Sequence, residues 1–450
     1  MKQGNGFREP RISQCLIVKN EENNIEKALS WGKGIVSEQI VVDTGSTDRT
    51  VEIAKQMGAA VYEFQWIDDF AAAKNFAISK AKYEWIAFLD ADEYFCEADA
   101  KKLLGSLGML QITGTESILT AWVNLNDEGK VTFVGTQRRI FRNLPTIRYS
   151  GRIHEALTTT DGHLIDTVDM VEELNIFHTG YGKENSNKKE GRNLKLIQEE
   201  LKEHPERYDM WGYLGQEYAS RDRWQEAIDA FRKSAELMPE NMKGLYDTST
   251  SILYFRLLET LANIVEAGEE EVMEVYEKAI EGWPEESEYD YCVGRYYVKR
   301  QNWQKAEYHM GRALNLLEKY SNTGKGMILS GEIQKAYELL AICCYNNHHL
   351  QECVQLTTVL LQGDPYLMST AVILLMAFAS DHETRMKGMD GAREVLGFLG
   401  SNFYNFDSLK DRLFVLRASM AAKYEELIVA VRELFSAEEL ETVLQALKNS

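Results

Sequence analysis

The sequence predicts an α/β domain with a mainly parallel sheet in residues 1–182, followed by an all-α helical-repeat domain in residues 183–450. Short apolar runs alternate with helical patterns over the first hundred residues, as expected for parallel strands covered on both faces. After residue 190 strand patterns almost vanish, and apolar residues recur at helical spacing. Gly, Asn, Ser and Lys cluster at 180–187, which favours a domain boundary there.

The elements of the α/β part follow one another in strand-helix order. We predict strands at 12–18, 39–43, 59–64 and 84–89, separated by helices at 21–31, 46–58 and 69–82. From residue 111 onward the β-like pieces are shorter and fall at 117–125, 130–134, 137–141 and 174–177. This second set predicts an antiparallel remainder of the same domain.

The residues beyond the boundary follow the spacing of a helix-turn-helix repeat of about 34 residues. One copy carries Trp211, Leu214, Gly215, Tyr218, Trp224, Ala227, Phe231 and Pro239. A second carries Val293, Gly294, Tyr297, Ala306 and Ala313, and weaker copies end at Pro284 and Pro365. The pattern resembles tetratricopeptide repeats. Stacked repeats form a groove for peptides or protein surfaces, so this domain either binds a partner or is a scaffold, for instance for a homodimer.

The composition is that of a globular, acidic protein. Hydrophobic residues make up 44% of the 450 residues, and 50 basic against 70 acidic side chains give a formal net charge of -20. Such a charge argues against nucleic acid or an anionic membrane as a partner. The six cysteines form no C-x-x-C pair, and the longest apolar stretch, 371–379, is about half a membrane-spanning helix. The start has no apolar segment of a signal peptide. We therefore expect a cytoplasmic protein with free thiols and no transmembrane segment.

Two carboxylates, Asp90 and Asp92, directly follow the predicted strand 84–89. If the chain stays extended, alternation places both side chains on one side. Carboxylate oxygens at the carboxyl edge of a parallel strand suit Mg²⁺ or Mn²⁺, which also binds substrate phosphates. The alternative is a solvated turn without a metal.

A third carboxylate, Asp43, ends the second strand, where it can accept hydrogen bonds from a nucleotide base or ribose. The residues after it, Gly45 to Asp48, can also be only a tight turn and a helix cap. A nicotinamide-dependent dehydrogenase would need G-x-G-x-x-G after the first strand. The segment Lys19 to Asn24 contains no glycine, which excludes that class.

The run from Ile12 to Glu93 resembles inverting glycosyltransferases of family 2, which have the Rossmann-like GT-A fold. The matching segments are Val18-Lys19-Asn20-Glu21, Val42-Asp43-Thr44-Gly45-Ser46-Thr47-Asp48, Ala73-Lys74-Asn75 and Leu89-Asp90-Ala91-Asp92. In that family the aspartate ending the second strand contacts the nucleoside, and the D-x-D aspartates address the metal and diphosphate. The resemblance implies these roles for Asp43, Asp90 and Asp92, and a donor contact for Lys74, which stands where arginine is frequent.

The segments 137–142, 151–155 and 177–181 are similar to a bacterial branch of this family with a helical-repeat carboxyl-terminal region. Some members of that branch modify peptides, including an S-glycosyltransferase, and others build surface saccharides. An inverting transfer needs a base opposite the departing nucleotide. Glu155 is our candidate base, with His154 as its neighbour or substitute; the alternative is that Glu155 forms a salt bridge to Arg152 or Arg148.

Three more residues are candidates for the same site. His178 either completes the metal site with Asp90 and Asp92 or binds a diphosphate oxygen, although a lone histidine after an apolar strand is more often structural. Arg138 and Arg139 are candidates for a phosphate clamp. Strand alternation aims the two arginines at opposite faces, so we expect only one to serve.

The resemblance and the residues together predict an inverting hexosyltransferase that uses a UDP-sugar, with UDP-glucose first among the donors, and Mg²⁺ or Mn²⁺. We expect a peptide or protein acceptor, modified at Cys, Ser or Thr, because a repeat groove follows the catalytic domain directly. A transferase that builds a surface saccharide, such as lipopolysaccharide or cell wall, is the second reading. A repeat scaffold with an inactive transferase-like domain is the third.

Overall fold

The computed structural model describes residues 9–111, 113–179, 191–245, 250–320 and 327–439. The chain divides into two compact units, 1–221 and 222–450. Our boundary at residue 182 falls on residues outside the described ranges and stays a prediction. The first unit extends past it and includes the helices Arg192–Glu203 and Tyr208–Ala219. In the described ranges we find no helix with both the length and the apolar character required to traverse a membrane.

Eleven strands are described in the first unit, and nine of them form one sheet. Its strands are β1 (Ile12–Val18), β2 (Glu38–Asp43), β3 (Ala60–Glu63), β4 (Trp85–Phe88), β5 (Glu93–Phe95), β6 (Ser117–Leu125), β7 (Val131–Arg142), β10 (Thr167–Asp169) and β11 (Asn175–His178). The order is β3-β2-β1-β4-β7-β6-β11-β5, with β10 beside β6. Five of the eight pairings are parallel, so the predicted mainly parallel sheet is confirmed. The other two strands, β8 (Ile147–Ser150) and β9 (Ala156–Thr159), form a separate antiparallel hairpin.

Strand β7 corrects one detail of the sequence prediction, since it joins the two pieces expected at 130–134 and 137–141. Gly135 lies between them and pairs with Trp122 of β6. A Cβ at position 135 would meet the Phe133 ring at 2.9 Å. We infer that this glycine makes room for the Phe133 side chain within a continuous strand, where the sequence pattern suggested an interruption.

Helices α1 (Ile25–Ser30), α2 (Thr50–Gln56), α3 (Phe70–Lys80) and α4 (Glu97–Leu110) connect the strands. Helix α3 begins where expected because the Asp69 carboxylate accepts a hydrogen bond from the Ala72 amide at 2.8 Å. The buried side chains of α3 include Ala71, Ala77 and Ile78, which belong to a core cluster with strand residues of the sheet. This packing also buries the side chain of Lys74.

Helix α1 is shorter than the helix predicted over 21–31. Asn20 has φ +57°, and its amide donates to Ser46 Oγ at 2.9 Å. The Asn20 Oδ1 atom in turn accepts from the Thr47 amide at 2.8 Å. These bonds tie the loop after β1 to the loop after β2, so the chain enters the helix only at Ile25.

Every regular element in the described part of the second unit is helical, which confirms the predicted all-α region. The α-helices are Trp224–Leu237, Ser251–Glu259, Glu269–Gly282, Ser287–Lys299, Trp303–Tyr320, Met327–Gly331, Ile333–Asn346, Leu350–Gly363, Met368–Ser380, His382–Lys387, Met389–Asn402, Leu409–Ala421 and Glu425–Arg432. Short 3-10 and π segments occupy Glu240–Met242 and Thr260–Ile264.

The second predicted repeat copy corresponds to the helix pair Ser287–Lys299 and Trp303–Tyr320. Its small residue Gly294 faces Met310, and an added Cβ would lie 3.0 Å from the Met310 side chain. A larger side chain at position 294 would therefore require the Met310 side chain to move. All six cysteines of the chain are free thiols, as predicted, and all but Cys96 are buried.

Candidate functional site

One cleft of about 490 Å³ in the first unit collects most of the residues predicted from the sequence. It lies beyond the carboxyl ends of β1 and β4, the edge at which α/β sheets bind ligands. The predicted residues that line it are Lys74, Asp90, Asp92, Arg139, His154, Glu155 and His178. Asp43 and Arg138 do not line it.

Asp90 lies at the centre of a charged network at the end of β4. Arg139 Nη2 donates to Asp90 Oδ2 and to Glu93 Oε1, at 2.6 Å each. Lys74 Nζ approaches Asp90 Oδ1 at 3.4 Å. Two cations thus hold the Asp90 carboxylate, which remains 38% exposed toward the cleft.

The charged network shifts the pKa values of the side chains that form it. Burial opposes the charge on Asp90, but Arg139 and Lys74 outweigh it and lower the Asp90 pKa below its ordinary value. Burial likewise opposes the charge on Lys74, and Asp90 and Glu155 raise its pKa above the usual range. For Glu93 burial dominates and raises the pKa, despite the neighbouring Arg139. At neutral pH Lys74, Arg139 and Asp90 are therefore charged.

Asp92 faces a different partner from Asp90. Its Oδ2 lies 3.3 Å from Nε2 of His178, the last residue of β11. The chain does not stay extended over 90–92, as the sequence argument assumed: the Glu93 amide donates to the Asp90 carbonyl at 3.0 Å and closes a turn. Asp90 therefore contacts the cationic side chains of Lys74 and Arg139, whereas Asp92 contacts the imidazole of His178.

The predicted metal set of Asp90, Asp92 and His178 is not assembled as a trio. Within the described ranges, no group of three or more His, Cys, Asp or Glu side chains is arranged to hold a metal ion. What the structure offers is the Asp92–His178 pair. Mg²⁺ is commonly bound by one or two carboxylates together with substrate phosphates, and Asp92 supplies one such carboxylate.

The candidate base, Glu155, follows the hairpin strand β8 and immediately precedes β9. Its Oε1 lies 2.7 Å from Lys74 Nζ, and its side chain is 15% exposed. Neither arginine considered from the sequence pairs with it: Arg152 contacts Glu200 and Glu203, and Arg148 donates to backbone carbonyls. Glu155 thus lies in the cleft and shares one lysine with Asp90.

His154, the alternative base, is held in an unusual conformation. Its φ is +50°, in the left-handed region, and its ring stacks on Tyr213 with centroids 3.6 Å apart. Loss of water around the ring lowers the His154 pKa, against the opposing effect of Glu155. His154 and Glu155 both line the cleft, and Glu155 is the carboxylate of this segment there.

Asp43 lies at the end of β2 but faces its own loop. Its carboxylate accepts hydrogen bonds from the Gly45 and Ser46 amides at 3.1–3.2 Å, and the residue is only 7% exposed. The next residue, Thr44, lines the cleft instead. The predicted nucleotide contact of Asp43 stays a prediction, and its observed contacts are those of the turn alternative.

Several cleft residues were not identified from the sequence. Glu93 and Trp122 belong to the Arg139 network, since Trp122 Nε1 donates to Glu93 Oε1 at 2.8 Å. Arg192 and Asn193 reach the cleft from the first turn of the helix Arg192–Glu203. Of these, only Glu93 carried a local signal, because it directly follows the D-x-D run.

Comparisons with known proteins agree with the resemblance drawn from the sequence. Residues 13–113 match the family model described as glycosyl transferase family 2. The chain is 31% identical over 230 residues to the SPbeta prophage-derived glycosyltransferase SunS of Bacillus subtilis, a match that covers 50% of this chain and 53% of SunS. The predicted similarity to family 2 glycosyltransferases is therefore confirmed.

Two further matches are more limited. A TPR repeat-containing protein of Synechococcus elongatus is 37% identical over 152 residues, which is 33% of this chain and 36% of that protein. A crystal structure of glucosyl-3-phosphoglycerate synthase from Mycobacterium tuberculosis with Mn²⁺, UDP and glucosyl-3-phosphoglycerate is 25% identical, with a TM-score of 0.23. It covers 25% of this chain and 44% of that chain. The chain spans about half the length of SunS and less of the Synechococcus protein.

Proposed function

We propose that this chain, which carries a family 2 glycosyl transferase match at residues 13–113, transfers a hexose from a UDP-sugar to a Cys, Ser or Thr side chain of a peptide or protein, with inversion at the anomeric carbon. UDP-glucose is the donor we would test first. The observation that carries the proposal is the cleft itself, where the carboxylate of Glu155 and the Asp92–His178 pair face one space beside Lys74 and Arg139.

The Asp92–His178 pair is the part of the cleft suited to a divalent cation. A carboxylate oxygen and an imidazole nitrogen 3.3 Å apart can both turn toward one ion, and donor phosphates and water would complete its coordination. When bound, such an ion offsets the negative charge of a departing diphosphate. Asp90, which two cations already hold, would act next to the ion rather than as a third ligand.

The remaining chemistry falls to residues of the chain. Lys74 and Arg139 keep positive charge at the end of β4, where it can meet the donor diphosphate. Glu155 would accept the proton of the acceptor hydroxyl or thiol as that atom attacks the sugar from the face opposite the leaving nucleotide. Lys74 and Arg139 are only 3% and 11% exposed, and this burial strengthens their charge interactions.

A peptide or protein acceptor is supported by the helical repeats of the second unit, since stacked helix pairs present extended surfaces suited to polypeptide. SunS, the relative matched above, is named a glycosyltransferase and agrees with the reaction class. Whether a Cys, Ser or Thr side chain is modified depends on the sequence of the acceptor polypeptide.

An assay of nucleotide release tests the enzyme directly. We expect UDP release from UDP-glucose or another UDP-hexose that depends on Mn²⁺ or Mg²⁺ and stops when EDTA is added. Asp92→Asn should weaken Mn²⁺ binding about 100-fold, since even outer-shell partners of ligands contribute 10–100-fold. Isothermal calorimetry with MnCl₂ and UDP measures that affinity. Asp127→Asn, an exposed carboxylate outside the cleft, is the matched control and should change nothing.

Two outcomes would contradict the proposal. A chain that releases no nucleotide from any UDP-sugar, with either ion and with a peptide library as acceptor, would favour the scaffold reading. Unchanged Mn²⁺ affinity in Asp92→Asn would show that the ion does not bind at this part of the cleft.

A further inference from the structure

Strand register places three polar side chains in one row across the sheet. His178 of β11 pairs with Glu93 of β5 on one side and with Asn124 of β6 on the other. Residues directly opposite each other on neighbouring strands point to the same face. The side chains of Glu93, His178 and Asn124 therefore lie side by side under the cleft. Glu93 and Asn124 are each only 1% exposed.

Asn124 meets the histidine nitrogen that faces away from Asp92. Its Oδ1 atom lies 2.7 Å from His178 Nδ1, while His178 Nε2 faces Asp92. The Asn124 amide nitrogen lies 3.5 Å from the Trp122 carbonyl oxygen, on the side of the amide away from the ring. An amide oxygen can only accept, so this hydrogen bond requires the tautomer in which Nδ1 carries the proton.

Trp122 fixes the plane of the same imidazole. Its ring stacks on His178 with centroids 4.6 Å apart and an interplanar angle of 29°. The indole nitrogen of Trp122 is itself held by Glu93 Oε1 at 2.8 Å. Two contacts thus restrain the imidazole. Stacking on Trp122 holds the plane of the ring, and the contact with Asn124 Oδ1 limits its rotation.

We propose that Asn124 is a positioning residue for the divalent cation: by accepting from Nδ1–H it selects the tautomer in which Nε2 presents its lone pair beside Asp92. The inference rests on the proposed function through the cation. In metal sites a ligand histidine almost always donates its other nitrogen to an oxygen acceptor, which fixes tautomer and ring orientation. Here a neutral amide, buried in the sheet, fills that place.

Two substitutions of similar size separate this role from a packing role. Asn124→Leu removes the acceptor and should weaken Mn²⁺ binding 10–100-fold. Asn124→Asp keeps an acceptor oxygen and should bind Mn²⁺ at least as tightly as the unchanged chain. Calorimetry with MnCl₂, alone and with UDP, gives the affinities, and thermal unfolding without metal shows whether each variant is folded. Equal Mn²⁺ affinity in folded Asn124→Leu and the unchanged chain would overturn the proposal.

A spectroscopic measurement tests the same bond without metal. In the full chain labelled with ¹⁵N-histidine, His178→Gln identifies the His178 signals by their loss. We expect a protonated Nδ1 in the unchanged chain and in Asn124→Asp, and a loss of that preference in Asn124→Leu. An unprotonated Nδ1 in the unchanged chain would refute the role of Asn124, whether or not UDP-sugars prove to be substrates. Normal tautomer preference with no Mn²⁺ binding would instead contradict the metal part of the proposed function and, with it, the positioning role.

Discussion

Replacing Glu155 with Gln should lower kcat about 10²–10⁴-fold, the usual contribution of a general base. Glutamine keeps the size of the side chain and an oxygen that can accept from Lys74 Nζ, which lies 2.7 Å from Glu155 Oε1. What is lost is the ability to take a proton from the acceptor. Donor binding should stay unchanged, because the Asp92–His178 pair and Arg139 are untouched.

The measurement combines initial rates of UDP release with calorimetric titration of UDP in the presence of Mn²⁺. Glu203→Gln is the matched control: this glutamate pairs with Arg152 and is 55% exposed, outside the cleft. It should keep full activity. If Glu155→Gln also keeps full activity, Glu155 is not the base, and the remaining candidate of its segment, His154, must be tested in the same way.

The position of the cleft could be predicted because it follows from local patterns. Apolar runs of strand length separated by helical patterns indicate parallel strands, and parallel strands end at one edge of a sheet. Lys74 lies on the helix that leads into β4, and Asp90 follows that strand after one residue. Sequence order was enough to place Asp90 at this edge, and the family resemblance pointed to Lys74.

The partners of these residues could not be predicted, because they come from distant strands. Arg139 reaches Asp90 and Glu93 through the antiparallel pairing of β4 with β7, and β7 is further from β4 in sequence than any local pattern extends. The same limit applies to Glu155, whose partner is Lys74 rather than a nearby arginine. A periodic pattern shows which face a side chain takes but not which strand becomes its neighbour.

The turn at 90–92 was missed for a second reason. The extended conformation was assumed from strand alternation, but Glu93 competes for the backbone at this point. Its Oε2 accepts from the Asp90 amide at 2.9 Å, while its own amide donates to the Asp90 carbonyl. Such side-chain bonds to nearby backbone favour turns over strands, and no periodicity reveals them.

The second large effect is expected for Lys74→Met, which should lower the local stability around α3 by about 3 kcal/mol. Removing one partner of a buried ion pair leaves the other charge uncompensated, at a typical cost of 3–5 kcal/mol. We expect the lower end of that range, because Asp90 is 38% exposed and keeps Arg139. Hydrogen exchange of peptides covering Phe70–Lys80, read by mass spectrometry, measures the effect for this unit alone.

The pH dependence of this stability difference follows from the shifted pKa values of Lys74 and Asp90. The raised pKa of Lys74 means that its contribution is fully present below its ordinary value of about 10.4 and is lost only as pH rises through the folded value. The lowered pKa of Asp90 means the opposite: its contribution is present above about 3.9 and is lost as pH falls through the folded value. The gap between Lys74→Met and the unchanged chain should therefore stay constant between about pH 5 and 9 and shrink in acid below about pH 4.

A lysine outside the network separates this effect from the loss of any positive charge. The Lys82 side chain is 72% exposed and pairs only loosely with Glu38 at 3.7 Å. Lys82→Met should change the exchange of α3 by no more than about 0.5 kcal/mol, as surface substitutions do. Equal exchange in Lys74→Met and Lys82→Met would mean that Asp90 and Glu155 do not need the lysine between them, and the cleft would then be held together by Arg139 and the sheet alone.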